Sequence, residues 1–141
     1  MAIVFYPTFT KHMVALVSAV TLAGCASMAT TPEAIVKARA TQHWQARIAG
    51  DLDTTYRFTT PSYRGVTPLP KYKGGFGDAV TLISAEVASV QCEAEDRCIV
   101  NTKVEVKPNL VLGKRVLANF TTYIDETWLR EDGQWWLFPT P

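Results

Sequence analysis

Several ingredients of common chemistry are scarce or missing in this 141-residue chain. It has two histidines, His12 and His43, so zinc held by several histidines has too few ligands. Lys73-Gly74-Gly75-Phe76-Gly77 lacks the spacing of a phosphate-cradling loop, and no serine sits in a nucleophile-elbow motif. The three cysteines include no pair with the two-residue gap of thiol oxidoreductases. Charge of either sign is also scarce in excess: 14 basic residues stand against 13 acidic, for a net charge of +1. A nearly neutral chain exerts no global pull on a polyanion, which argues against nucleic acid as a partner. Nothing in these patterns demands a cofactor or a metal.

What is present begins at the amino terminus. Lys11-His12 precedes the ten-residue apolar run Met13–Leu22, followed by Ala23-Gly24-Cys25. A positive flank, a short apolar segment and small residues before a cut form the layout of a secretory signal. The run falls short of the roughly 20 residues a spanning helix needs. Leu22-Ala23-Gly24-Cys25 resembles the lipobox of bacterial lipoproteins, in which the cysteine takes a diacylglycerol and becomes the new amino terminus. The expected organisation is a signal at 1–24, a lipidated tether at 25–31 and one folded domain at 32–141. By the same resemblance Ala26, rather than an aspartate, implies an outer-membrane anchor facing the periplasm. Residues 1–10 are unusually apolar for the charged end of a signal, which places the assigned start codon in question.

With Cys25 acylated, Cys92 and Cys98 remain as a pair between two strand-like segments, predicting a disulfide across the base of a hairpin. An exported location lets such a bond persist.

Thr31-Pro32-Glu33 supplies an N-cap, a proline at the first helical position and an acid in the first turn. The predicted helix runs to about Ala49 and stops at Gly50, with Val36, Ala40, Trp44 and Ile48 on one stripe, Arg47 close to it, and His43 near Val36 on the wheel. A short helical stretch follows over Asp51–Phe58, and Ser62-Tyr63-Arg64 starts a further turn. Residues 65–77 read as loop with one turn around Tyr72–Phe76. The period then changes to two. Ala79–Gln91 is predicted as a bent strand, Cys98–Lys107 as a strand with one wet face, Arg115–Arg130 as a third, and Asp132-Gly133 as the turn before Gln134–Phe138.

Helices followed by a meander predict an α+β domain: a long N-terminal helix plus short helices on a curved antiparallel sheet of about four strands. Arg39-Ala40, Trp44, Gly50-Asp51, Tyr56-Arg57-Phe58 and Pro61-Ser62-Tyr63-Arg64, with Glu126-Thr127-Trp128 and Asp132-Gly133-Gln134-Trp135-Trp136, resemble the nuclear transport factor two-like superfamily, and more narrowly its small bacterial lipoproteins. That resemblance implies a sheet closed by the long helix into a cone with an internal pocket.

The alternation of the third strand places Glu126 on the inner face with Val116, Ala118, Phe120, Thr122, Ile124 and Trp128. A buried carboxylate must be paired or raise its pKa, and Arg64 and Arg47 are the expected partners. An ion pair is the ordinary reading; a general base or ligand anchor is the functional one. His43 is read as a core or rim residue facing the pocket. Tyr56, Tyr63, Tyr72 and Tyr123 are hydrogen-bond donors that more often pack a core, and Trp44 and Trp128 are chiefly core. One of Trp135 and Trp136 must face outward. These residues support a non-enzymatic, membrane-tethered module for a small apolar ligand or an envelope protein. A small isomerase- or cyclase-type enzyme using an acid in the pocket is the alternative, and a homodimer through the outer sheet face is the third reading.

Overall fold

The computed structural model describes residues 30–109, 111–112 and 115–139. The expected signal at 1–24 and the acyl-bearing Cys25 lie outside the described residues.

Helix α1 spans Pro32–Ile48, with the Thr31 hydroxyl accepting the Ala34 N–H at 3.3 Å. The chain leaves it through Gly50 at φ +72°, a left-handed conformation that glycine adopts without a Cβ clash. Asp51 then caps α2, Leu52–Arg57, by accepting the Thr54 N–H. Thr60 caps α3, Pro61–Val66, and α4 follows at Leu69–Gly74 with a proline in its first turn.

Strand β1, Val80–Ala94, pairs antiparallel with β2, Arg97–Pro108. A two-strand arm, β3 at Val111–Leu112 and β4 at Arg115–Val116, precedes β5, Phe120–Glu131, and β6, Gln134–Phe138. The main sheet has the order β1-β2-β5-β6. Register shifts in β1 at Leu82/Ser84, Val87/Ser89 and Cys92/Ala94 bend this edge strand, and an irregular, bent edge is a poor template for another chain. At the opposite edge the segment after α2 covers β6: Leu137 donates to the Phe58 carbonyl at 2.8 Å, and Thr60 to that of Leu137 at 2.9 Å.

The core lies between α1 and one sheet face. Cys98, Val100, Thr102, Val104 and Val106 of β2 alternate inward, joined by Trp128, Trp135, Leu137 and Val87 from the other strands and by Val36, Ala40 and Trp44 from α1. Cys92 stands opposite Cys98 in the register, and their sulfurs are bonded.

This architecture corrects the expected fold. Among the described residues the first helix starts at residue 32 and has 17 residues, so none of them forms a long N-terminal helix that closes the sheet into a cone. The body is instead the four-stranded antiparallel sheet with short helices. Bulk on the inner face is one physical reason: Trp128 and His43 are fully buried and Trp44 nearly so, filling the space a hollow interior would need.

The helix stripe and the third strand also differ from expectation. Ile48 is 38% exposed, while His43 is buried and Arg47 half-buried. Steps of four residues drift about 40° each around a 3.6-residue helix, so the face in contact passes from Ala40 through His43 to Arg47 rather than to Ile48. The single strand expected over Arg115–Arg130 is broken at Leu117–Asn119. Phe120 is 50% exposed, so the inward alternation of β5 becomes a core only toward Glu126 and Trp128.

Candidate functional site

Three elements bring the site together. Strand β5 directs Glu126 inward, two residues before Trp128 on the same face. Helix α1 lays His43, Trp44 and Arg47 over it, residues spaced by one turn or less. Helix α4 contributes Tyr72, and Phe76 follows it. A cavity of about 250 Å³ opens between them, lined by His43, Arg47, Tyr72, Phe76 and Glu126, with Leu137 at one side. A larger, open groove of about 580 Å³ lies on the other side of Arg47 and Phe76, but its lining holds no buried carboxylate or histidine. The chemistry belongs to the smaller space.

The Glu126 carboxyl is 9% exposed. The Trp44 indole N–H donates to its Oε2 at 2.8 Å, and His43 Nδ1 stands 3.5 Å from Oε1. Arg47 attracts the carboxylate through space without forming an ion pair, and the Trp128 indole lies near without completing a hydrogen bond. Burial outweighs these attractions and pushes the Glu126 pKa up to about 7. His43 moves the other way: burial first, then repulsion by Arg47, lowers it to about 3, so its imidazole is neutral at physiological pH. Neither ring nitrogen has a hydrogen-bond partner among the described residues. A shift of a few tenths of an ångström would let one proton bridge His43 Nδ1 and Glu126 Oε1. The Tyr72 phenol is raised above its ordinary value, chiefly by burial. Arg47 rests 4.3 Å from the Phe76 ring centroid and 5.6 Å from that of Trp44, which holds a cation at the cavity wall by aromatic faces instead of a carboxylate.

The residues singled out from the sequence divide into two groups. Glu126, His43, Trp44 and Trp128 meet, with Arg47 beside them. Arg64 does not: its guanidinium donates to the Arg57 and Thr59 carbonyls and lies 5.0 Å from the Trp136 ring centroid. The Tyr56 hydroxyl donates to the Thr67 carbonyl at 2.7 Å, tying α2 to the end of α3, and Tyr63 packs edge-on against Tyr72. Both tyrosines are structural. The expected ion pair of Glu126 with Arg64 or Arg47 is therefore not formed.

Sequence reasoning offered Tyr72 as one of four possible donors, within a turn of the loop, but did not single out Phe76. Tyr72 lies in α4 and Phe76 just beyond its end, and their rings meet edge-on with centroids 4.8 Å apart. Among the described residues no three His, Cys, Asp or Glu side chains gather as a metal site. The arrangement can exchange a proton near neutral pH and hold a small molecule against a cation and a phenol.

No family model matches the chain, and no curated protein matches it. The chain is similar in structure to a SEC-C motif containing protein from Rhodopseudomonas palustris, with a TM-score of 0.53 and 15% sequence identity over 78% of this chain and 77% of that one. At such identity the likeness concerns the fold alone.

Proposed function

We propose that this chain is a lipid-anchored protein of the cell envelope, held at the outer membrane through Cys25 and facing the periplasm, whose domain binds a small molecule in the Glu126 cavity. The buried carboxyl at the cavity wall, met by the Trp44 indole and a neutral His43 but by no cation at ion-pair distance, carries the binding reading. A carboxyl kept out of water without an ion pair is costly to hold, and a ligand polar group reaching Glu126 would offset that cost. The rest of the lining is mixed, apolar at Phe76, Ile124 and Leu137 and polar at His43, Arg47 and Tyr72, and the volume lies below the roughly 300–1,000 Å³ of drug-sized pockets. The ligand is accordingly small, with both an apolar part and polar groups. Supporting the envelope location are the lipobox-like Leu22–Cys25 segment and the bonded Cys92–Cys98 pair, a linkage that reducing compartments remove. No described helix is long and apolar enough to cross a membrane.

One observation favours a second reading, an isomerase- or cyclase-type enzyme. A carboxyl whose pKa lies near 7 is matched to proton abstraction at neutral pH. Glu126 would accept the proton, and Tyr72 and Arg47 would face the negative charge that develops.

Mass spectrometry of the intact protein, purified from its native membrane in mild detergent, tests the proposal. The expected result is an acyl mass on Cys25, two hydrogens missing at Cys92 and Cys98, and a co-purifying small molecule. An unacylated mature chain with reduced thiols would overturn the envelope reading. Glu126→Gln then separates the two functions: a binding module loses affinity only, whereas an enzyme retains the ligand and loses its conversion.

A further inference from the structure

A second polar feature lies outside the Glu126 cavity. Of the adjacent indoles on β6, Trp135 is buried and Trp136 turns outward. Its ring carries a guanidinium from each of two directions in the chain: Arg39 of α1 at 5.0 Å and Arg64 of α3 at 5.0 Å. Arg39 also lies 5.2 Å from the Phe58 ring centroid. Beside this stack is a groove of about 400 Å³ lined by Arg39, Gln42, Thr54, Arg57, Phe58 and Trp136.

For Arg39 the electrostatic account does not close among the described residues. Among the described residues none of Arg39, Arg57 and Arg64 has a carboxylate within ion-pair distance. Of the nearby acids, Asp53 pairs with Lys73 at 2.6 Å and Glu131 accepts the Ser62 hydroxyl at 2.9 Å, while Asp51 caps α2 and also attracts Arg57 through space. Arg57 makes one side-chain contact, to the Thr54 hydroxyl at 2.9 Å, and Arg64 donates to backbone carbonyls. Among the described residues Arg39 makes no hydrogen bond, and its Nε is buried without an acceptor. A buried donor left unmade is an unusual expense, one that a native chain normally offsets with a partner. Burial also lowers the Arg39 pKa, in the direction a neighbouring anion would reverse.

We infer that the Arg39–Arg57 groove, walled by Phe58 and Trp136, is a binding site for a phosphate-type oxyanion. The Arg39 guanidinium, held by the faces of Phe58 and Trp136, is positioned rather than floppy, and its forked N–H donors match the oxygens of phosphate; Arg57, exposed at the rim, adds a second cation. Gln42 adds a neutral donor, which suits an ester of phosphate as well as the free ion. The site shares no residue with the Glu126 cavity and does not depend on the function proposed for it.

The test uses the purified protein and two probes, inorganic phosphate followed by isothermal titration calorimetry, and vesicles of phosphatidylglycerol in phosphatidylcholine followed by co-sedimentation. Arg39→Met keeps the packed stem and removes the fork; Arg57→Gln alters an exposed side chain and serves if Arg39→Met fails to fold by circular dichroism. Saturable phosphate binding, weakened about tenfold or more by either variant, supports a site for the free ion or its small esters. Binding to the vesicles alone, lost in the same variants, supports the site with a lipid headgroup as its source. No saturable binding of either probe overturns the inference. Affinity that is equal in the wild type and both variants overturns it as well.

Discussion

The buried carboxyl of Glu126 makes a prediction that can be worked through with its sign. In the folded protein its pKa is about 7, against an ordinary value of 4.5. Between those values the folded state holds a proton that the unfolded state has released. Stability contributed by this group is therefore full below about pH 4.5 and declines as pH rises to 7. Two and a half pKa units correspond to about 3 kcal/mol. His43 opposes it: with a folded value of about 3 against 6.5, it favours folding progressively as pH rises from 3 to 6.5. The two slopes nearly cancel between pH 4.5 and 6.5, so the wild-type curve alone is uninformative.

Glu126→Gln isolates one of them. Glutamine resembles the protonated acid and cannot ionise, so at pH 4 the variant has nearly wild-type stability, apart from local repacking. By pH 8 the wild type carries a buried anion that the variant lacks. The stability difference, variant minus wild type, should rise by about 3 kcal/mol between pH 4 and pH 8. Urea denaturation followed by tryptophan fluorescence at a series of pH values measures it, with the m-value checked for constancy. A difference that does not change with pH would refute the raised pKa. A difference that falls with pH would mean that Glu126 is an ionised, paired carboxylate, and the argument for a ligand-seeking acid would go with it.

Trp44→Phe removes the indole N–H from Glu126 Oε2 and should push the carboxyl pKa higher still, visible as a shifted carboxyl resonance in an NMR titration. Replacing both Cys92 and Cys98 with serine should cost roughly 2–3 kcal/mol for so short a loop, read as a lowered Tm, without moving the Glu126 titration. Trp128→Ala empties the fully buried centre of the sheet face and should cost about 3–5 kcal/mol in chemical denaturation, more than any surface change on β1. Arg47→Met removes the cation at the cavity wall, so the Glu126 pKa should rise and that of His43 should recover toward its ordinary value.

Local chemistry made much of the chain's punctuation legible. Thr31-Pro32 and Gly50 bound α1, Asp51 caps α2, and Asp132-Gly133 turns β5 into β6 because backbone conformation at those points depends on the residue itself. The period of two placed Cys98, Val100, Thr102, Val104 and Val106 on one face, and put Glu126 inward with Trp128, since alternation is a property of the extended chain. The opposition of Cys92 and Cys98 followed from the same hairpin.

Partnership was decided only in three dimensions. The sequence offered Arg64 and Arg47 as cations for Glu126, and nothing in spacing could say that Arg64 would turn to the Thr59 carbonyl and Trp136 while His43 and Trp44 took the carboxyl. Nor could it show that bulky side chains fill the sheet face in place of a hollow cone, because packing is set by volumes that arrive from α1, β2 and β5 at once. The pKa of Glu126 belongs to the same class. A glutamate is an ordinary acid until its surroundings remove water faster than they supply charge, and those surroundings come from residues 82 positions apart.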